Sequence, residues 1–315
     1  MSKIAFIFPG QGSQSVGMGK QLADLYPEVA DYFKRADVKL GTSLSSLIFE
    51  GPQEQLTLTA NTQPALLTTS VAIYEKFKQS GIVPDYVAGH SLGEYTALVA
   101  SEAISFEDGV YAVRKRGEFM EEAVPAGQGA MAAVLGMEAE LLDKVCSSVS
   151  QEGYPVQLAN LNCPGQIVIS GSAKGVEIAS IRAKENGAKR VIPLEVSGPF
   201  HSSLMKPAAE KLRQTLESIE IKEAKVPLIA NVNASPVTNS MEIKDLLIEQ
   251  LYSPVRWQQS VEKMVEYGVD TFVEIGPGKV LSGLVKKVDR SLKAFAVYDE
   301  ESLQLAIQSL KGGSE

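Results

Sequence analysis

Gly89-His90-Ser91-Leu92-Gly93 is a G-x-S-x-G pentapeptide, and its flanks decide its meaning. Ile82 to Ala88 reads as a short buried strand, and Leu92 to Ala100 reads as a helix of Leu, Ala, Val and Glu. A serine at such a strand-to-helix turn is a nucleophile elbow. The glycines on either side remove the Cβ atoms that would collide in so tight a turn, so the serine hydroxyl projects. The helix that follows aims its free N–H groups at the same place, where charge developing on an acyl oxygen would be stabilised. Ser91 is therefore the candidate nucleophile, carried on an α/β sheet.

Working outward, the 315 residues exceed the usual single core, which predicts two domains or one core with an insertion. Apolar residues at 44% and charged residues at 22% are those of a folded globular chain. The apolar run Ile4 to Phe8 ends at Pro9-Gly10-Gln11-Gly12, too soon for a secretory segment. No run approaches the ~18 apolar residues of a membrane span, so a cytoplasmic protein with no membrane partner is expected. A net charge of −8 argues against nucleic acid. Cys146 and Cys163 lack paired Cys or His spacing, so neither a metal site nor a disulfide is expected.

Lys3 to Phe8 suits a strand buried on both faces of a parallel sheet. The loop Gly10-Gln11-Gly12-Ser13-Gln14 fails both phosphate-binding glycine patterns, because Gln14 and Met18 occupy decisive positions. Its glycines let backbone N–H groups come close to a reacting centre, which makes Gln11 a candidate oxyanion donor. Residues 20 to 78 read as helices, the last opening at Asn61-Thr62 with Pro64 in its first turn. From Phe106 to Met120, positions 106, 110, 113 and 120 form an apolar stripe with Arg116 at its border. Such a guanidinium pairs with a protein carboxylate, snorkels, or holds a substrate carboxylate bidentately.

Residues 127–197 read as β-α-β-β-α-β, a small ferredoxin-like subdomain. It is inserted in a larger α/β-hydrolase-like parallel-sheet domain formed by 1–126 and 198–311, with a polar tail at 312–315. Two basic groups stand out. Arg182, Lys184, Lys189 and Arg190 against Glu185 give +3, as do Lys286, Lys287, Arg290 and Lys293 against Asp289.

A serine hydroxyl needs a base, most often His, and the chain has two. His90 adjoins Ser91 in the turn, where successive side chains diverge, and is read as packing or hydrogen-bonding locally. His201, in the Gly-Pro loop joining the two domains, is the candidate base. A third group should fix its tautomer, and a backbone carbonyl suffices. More than a hundred residues follow His201, whereas α/β-hydrolases place their histidine last, so a standard hydrolase fits poorly.

Gly10-Gln11-Gly12-Ser13-Gln14, Gly89-His90-Ser91-Leu92-Gly93-Glu94, Arg114-Lys115-Arg116-Gly117, Ser197-Gly198-Pro199-Phe200-His201-Ser202 and Glu274-Ile275-Gly276-Pro277-Gly278 occur in that order. With them the chain resembles the malonyl-CoA:acyl carrier protein transacylase family over nearly its whole length. The resemblance implies that Ser91 is malonylated, with His201 as base and then acid, and that Arg116 pairs with the malonyl carboxylate. It implies an oxyanion hole from the N–H groups of Gln11 and Leu92, a Gln250 carbonyl that orients His201, and Gln63 lining the cleft. Phe200 is similar to the malonyl-selective members. The implied partners are malonyl-CoA and acyl carrier protein, in fatty acid biosynthesis, for a monomer without cofactor. The competing readings are a serine esterase or thioesterase, and a non-catalytic module that docks a carrier.

Overall fold

Ala5 to Phe8 are buried side chains in an unbroken row, which only a strand covered on both faces permits. The computed structural model describes residues 3–312 and places this strand, β1 (Lys3–Phe8), inside a six-stranded sheet. The other strands in chain order are β2 (Tyr86–Gly89), β3 (Gly129–Leu135), β4 (Val156–Cys163), β5 (Gln166–Ser172) and β6 (Arg190–Pro193). They are followed by β7 (Leu228–Ile229), β8 (Pro236–Val237), β9 (Val269–Ile275) and β10 (Lys293–Val297). The large sheet runs β10-β9-β1-β2-β7-β8 and is parallel except where β8 turns back along β7. Phe6 packs edge-on to Phe77, with ring centroids 5.5 Å apart, and Phe8 meets Tyr74 edge-on at 6.0 Å. These contacts fasten the helix Thr59–Lys78 to one face, each buried Phe contributing about 2–3 kcal/mol.

The second sheet is antiparallel with order β4-β5-β3-β6, the strand order of a ferredoxin-like unit. Its helices Ala139–Gln151 and Ala173–Glu185 bury Leu142, Val149, Val176 and Ala179 in a cluster separate from the main core. A short parallel bridge joins the two units. The Leu161 N–H donates to the Val255 carbonyl at 2.9 Å, and the Val255 N–H donates to that of Ala159 at 2.8 Å.

Several elements differ from the sequence expectation. The strand expected over 82–88 shortens to β2, because Val83 is exposed and Pro84 has no N–H to give a ladder. The helix expected to open at Asn61-Thr62 begins at Thr59, so Pro64 lies inside it. The strand expected over 227–231 stops at Ile229, since the Asn231 N–H turns to the Glu94 carboxylate instead of a ladder. β8, β10 and the helix Glu300–Gly312 are additional to the elements expected from sequence. Gly312 ends that helix, and the rest of the expected tail lies outside the described residues.

Candidate active site

The loops after β1, β2 and β7, adjacent parallel strands, carry Gln11, Ser91 and Asn231 to the carboxyl edge of the sheet, where such folds place their ligands. A Cβ on Gly89 would sit 1.9 Å from the Gly93 carbonyl oxygen, and one on Gly93 would sit 2.1 Å from that of Phe8. Both positions therefore exclude any side chain. Between them Ser91 takes φ 51°, a left-handed conformation that costs a non-glycine residue about 1–2 kcal/mol. Asn231 holds the bend from below. Its Oδ1 accepts from the Ser91 N–H at 2.8 Å, and its Nδ2 donates to the Gly89 carbonyl at 2.7 Å.

Ser91 Oγ lies 2.8 Å from His201 Nε2, and His201 Nδ1 lies 2.8 Å from the Gln250 carbonyl oxygen. A carbonyl only accepts, so the proton sits on Nδ1 and leaves the Nε2 lone pair facing the serine hydroxyl. Burial, reinforced by the Arg116 charge, pushes His201 down to about 3, so the ring is neutral at pH 7 and able to take a proton. His90 is turned away. Its Nε2 meets Asn162 Oδ1 on β4 at 2.9 Å and its ring leans on Trp257, so its partner is the second sheet rather than a sequence neighbour.

Arg116 is not at a border. It is 1% exposed, with Nη1 donating to Gln63 Oε1 at 2.8 Å and Nη2 donating to Gln250 Oε1 at 2.9 Å and to Ser91 Oγ at 3.1 Å. Gln63 is held in turn by a contact of 3.3 Å between its Nε2 and the Met120 sulfur. The Arg116 Nε has no partner among the described residues. Such a buried donor costs free energy until something accepts from it. Gln11 and Leu92 line the same cavity of about 120 Å³, together with Met120, Met131, Leu194, Val196 and Phe200. A cavity of that size has room for several waters or a short acyl group.

Three contributors were invisible to sequence reasoning. Asn231 had only its place at the end of an expected strand, and Glu94 only its place in the elbow motif. Gln157, half-buried on β4, donates to the carbonyls of His201 at 3.2 Å and Tyr252 at 3.3 Å and accepts from the Ser203 N–H at 2.9 Å. It thereby ties the His201 loop and the chain just after Gln250 to the second sheet. Nothing in a period-two strand pattern marks such a residue. Among the described residues no group of three or more His, Cys, Asp or Glu side chains converges as a metal site.

A serine hydroxyl bonded to a neutral, carbonyl-oriented histidine at the end of a parallel sheet, with a buried guanidinium beside it, defines a serine-dependent acyl-transfer enzyme. The chain matches the family described as acyl transferase domain over residues 5–306. It is 68% identical to the malonyl CoA-acyl carrier protein transacylase of Bacillus subtilis (strain 168), covering 99% of this chain and 98% of that one. Identity to the protein of the same name from Escherichia coli (strain K12) is 47%, over 98% and 100% of the two chains. Among solved structures, an acyl carrier protein S-malonyltransferase from Vibrio cholerae superposes with TM-score 0.95 at 48% identity, covering 97% and 100%. Another, at TM-score 0.95 and 45% identity with 98% and 100% covered, is a malonyl-transacylase in complex with its type II PKS acyl-carrier protein. The chain belongs to the acyl transferase family, within its malonyl CoA-acyl carrier protein transacylase branch.

Proposed function

We propose that this chain transfers a malonyl group from CoA to the phosphopantetheine thiol of acyl carrier protein, through a malonyl-serine at Ser91, for fatty acid biosynthesis. The observation that carries the acid-bearing substrate is the buried Arg116, 3.1 Å from the nucleophile and without a carboxylate among its hydrogen-bond acceptors. His201 Nε2 takes the Ser91 proton as Oγ forms a bond to the thioester carbon. The carbonyl oxygen becomes an oxyanion that the N–H groups of Gln11 and Leu92 receive. The C–S bond then breaks, and the thiolate of CoA leaves with the proton held by His201. The carrier thiol reverses these steps: it gives its proton to His201, attacks the ester carbon, and Ser91 recovers its hydrogen.

In this reading Arg116 fixes the malonyl carboxylate, Gln63 and the Gln250 side chain hold Arg116 in place, and Phe200 walls the acyl pocket. The lobe of 1–126 with 198–311 supplies nucleophile, base and guanidinium. The lobe of 127–197 closes the cleft through Met131, Leu194 and Val196. The exposed Lys286 and Lys287, and the exposed Lys189 and Arg190 of the other basic group, are the docking candidates for an acidic carrier, whereas Arg182 is already bidentate to Glu152 at 2.6 and 2.8 Å. Among the described residues no helix is long and apolar enough to cross a membrane. The proposed setting is the cytoplasm, and the proposed working unit is the monomer.

Intact-mass measurement after mixing with malonyl-CoA or acetyl-CoA tests the proposal. A malonyl adduct on the wild type, absent in Ser91→Ala and much weaker with acetyl-CoA, is expected. Free malonate accumulating without transfer to the carrier would mean an esterase instead.

A further inference from the structure

The three acceptors around Arg116, namely Gln63, Ser91 and Gln250, carry no charge. A guanidinium so buried calls for an anion close by. One lies a single side chain further on. Gln250 Oε1 accepts from Arg116 Nη2 at 2.9 Å, and Gln250 Nε2 donates to Glu94 Oε2, also at 2.9 Å. Glu94 is 1% exposed on the helix Gly93–Ala100, and the same Oε2 accepts from the Asn231 N–H at 3.0 Å. Among the described residues Oε1 receives no hydrogen bond, which leaves it free to carry a proton.

Resting on the reading that Arg116 receives the malonyl carboxylate, we propose that Glu94 is the exchangeable counter-ion of the acyl pocket. It is ionised toward Arg116 while the pocket is empty, and it takes up a proton when the acyl carboxylate arrives. Two carboxylates that share one buried guanidinium repel each other, and the one already short of solvent gives up its charge. Burial lifts Glu94 to about 7 even with Arg116 drawing it down, so little further repulsion is needed. Tyr95 is the other titratable group coupled to it, and burial keeps that phenol protonated. His201 and His90, the remaining titratable groups of the site, are kept neutral by burial. Glu94 is a positioning residue: it orients Gln250, whose amide carries Arg116 and whose carbonyl carries His201.

Acylation itself releases no proton, because the serine hydrogen ends on the CoA thiol. Net uptake from solvent therefore reports a coupled group. The test mixes the wild-type enzyme with malonyl-CoA in weak buffer containing a pH indicator, with malonyl-serine counted by intact mass during the first turnover. Uptake of roughly half a proton or more per acylated Ser91 near pH 7.5 is expected, corresponding to a rise of about one pH unit or more in the Glu94 midpoint. Glu94→Gln should lose that uptake. Malonyl-serine formed without uptake overturns the proposal, and so does equal uptake in Glu94→Gln. No malonyl-serine at all would instead overturn the proposed function beneath it. Should Glu94→Gln fold poorly, infrared difference spectra of the wild type labelled with 13C-glutamate decide. A label-sensitive protonated carboxyl band appearing on malonylation supports the proposal, and its absence overturns it.

Discussion

Ser91 and His201 share a backbone state as well as a hydrogen bond: φ is 51° at one and 57° at the other, and their side chains meet at 2.8 Å. Left-handed backbone at two non-glycine residues is strain retained where it aims reactive groups at each other. Relieving it should separate stability from function. We predict that Ser91→Gly is more stable than Ser91→Ala by about 1 kcal/mol, while both lose the acyl adduct. Chemical denaturation of the two variants checks this. A less stable glycine variant would mean that no strain is stored at the elbow.

The neutral state of His201 sets the pH behaviour. The folded ring sits at about 3, below the 6.5 of an ordinary imidazole, so between those values the unfolded chain binds a proton that the folded one refuses. The stabilising contribution is thus fully present above 6.5 and is lost as pH falls toward 3. We predict that His201→Asn flattens the fall in stability over that window, read from denaturation midpoints at successive pH values. For the wild type, the single-turnover acylation rate at saturating malonyl-CoA should show no acid limb near 6.5. A limb there would assign the base an ordinary imidazole pKa.

These two residues also show how much of the molecule its residues declare. Ser91 was legible because the elbow is local: glycine spacing, a strand before and a helix after all lie within about a dozen residues. The β-α-β-β-α-β order of the second unit was legible for the same reason, since each element carries its own apolar period. Asn231 and Gln157 were not, because each acts on backbone groups far away in the chain, a relationship that no local pattern records. The apolar stripe marks Arg116, but not its burial. The acceptors that make burial tolerable, Gln63 and Gln250, come from two other helices.

In the proposed function Arg116 carries substrate choice. In that reading acetyl-CoA leaves the buried charge without a carboxylate, whereas the malonyl group brings one. We predict that Arg116→Ala lowers kcat/KM for malonyl-CoA by about 10²–10³-fold, the loss expected for one half of a buried charge pair worth about 3–4 kcal/mol. The ratio of malonyl to acetyl acylation should fall with it. Selectivity unchanged in side-by-side acylation assays would remove the residue from this role.

The basic groups are separable by half-reaction. Lys287 Nζ rests on Gln166 Oε1 at 3.0 Å, placing a cation where the helix Val280–Val288 meets the turn between β4 and β5. Replacing Lys286 and Lys287 with Glu should raise KM for acyl carrier protein by about tenfold at low salt, where steering is strongest, and by less as salt is added. Acylation by malonyl-CoA should change by less than about twofold. Equal losses in both half-reactions would place the effect in the catalytic cleft rather than at a docking surface.

Gln157 offers the sharpest test of how the second sheet serves the first. Its amide N–H groups reach the carbonyls of His201 and Tyr252, and its oxygen takes the Ser203 N–H, so one side chain steadies both halves of the histidine's setting. Losing two such bonds costs about 1–2 kcal/mol of positioning. We predict that Gln157→Ala lowers kcat by about tenfold with little change in KM, since a displaced base slows chemistry without weakening substrate binding. Gln157→Glu keeps the acceptor for Ser203 and loses both donors, so it should behave like the alanine variant in kcat. If Gln157→Glu instead retains wild-type kcat, the contact to Ser203 alone holds the loop, and the donated bonds contribute nothing to aligning His201.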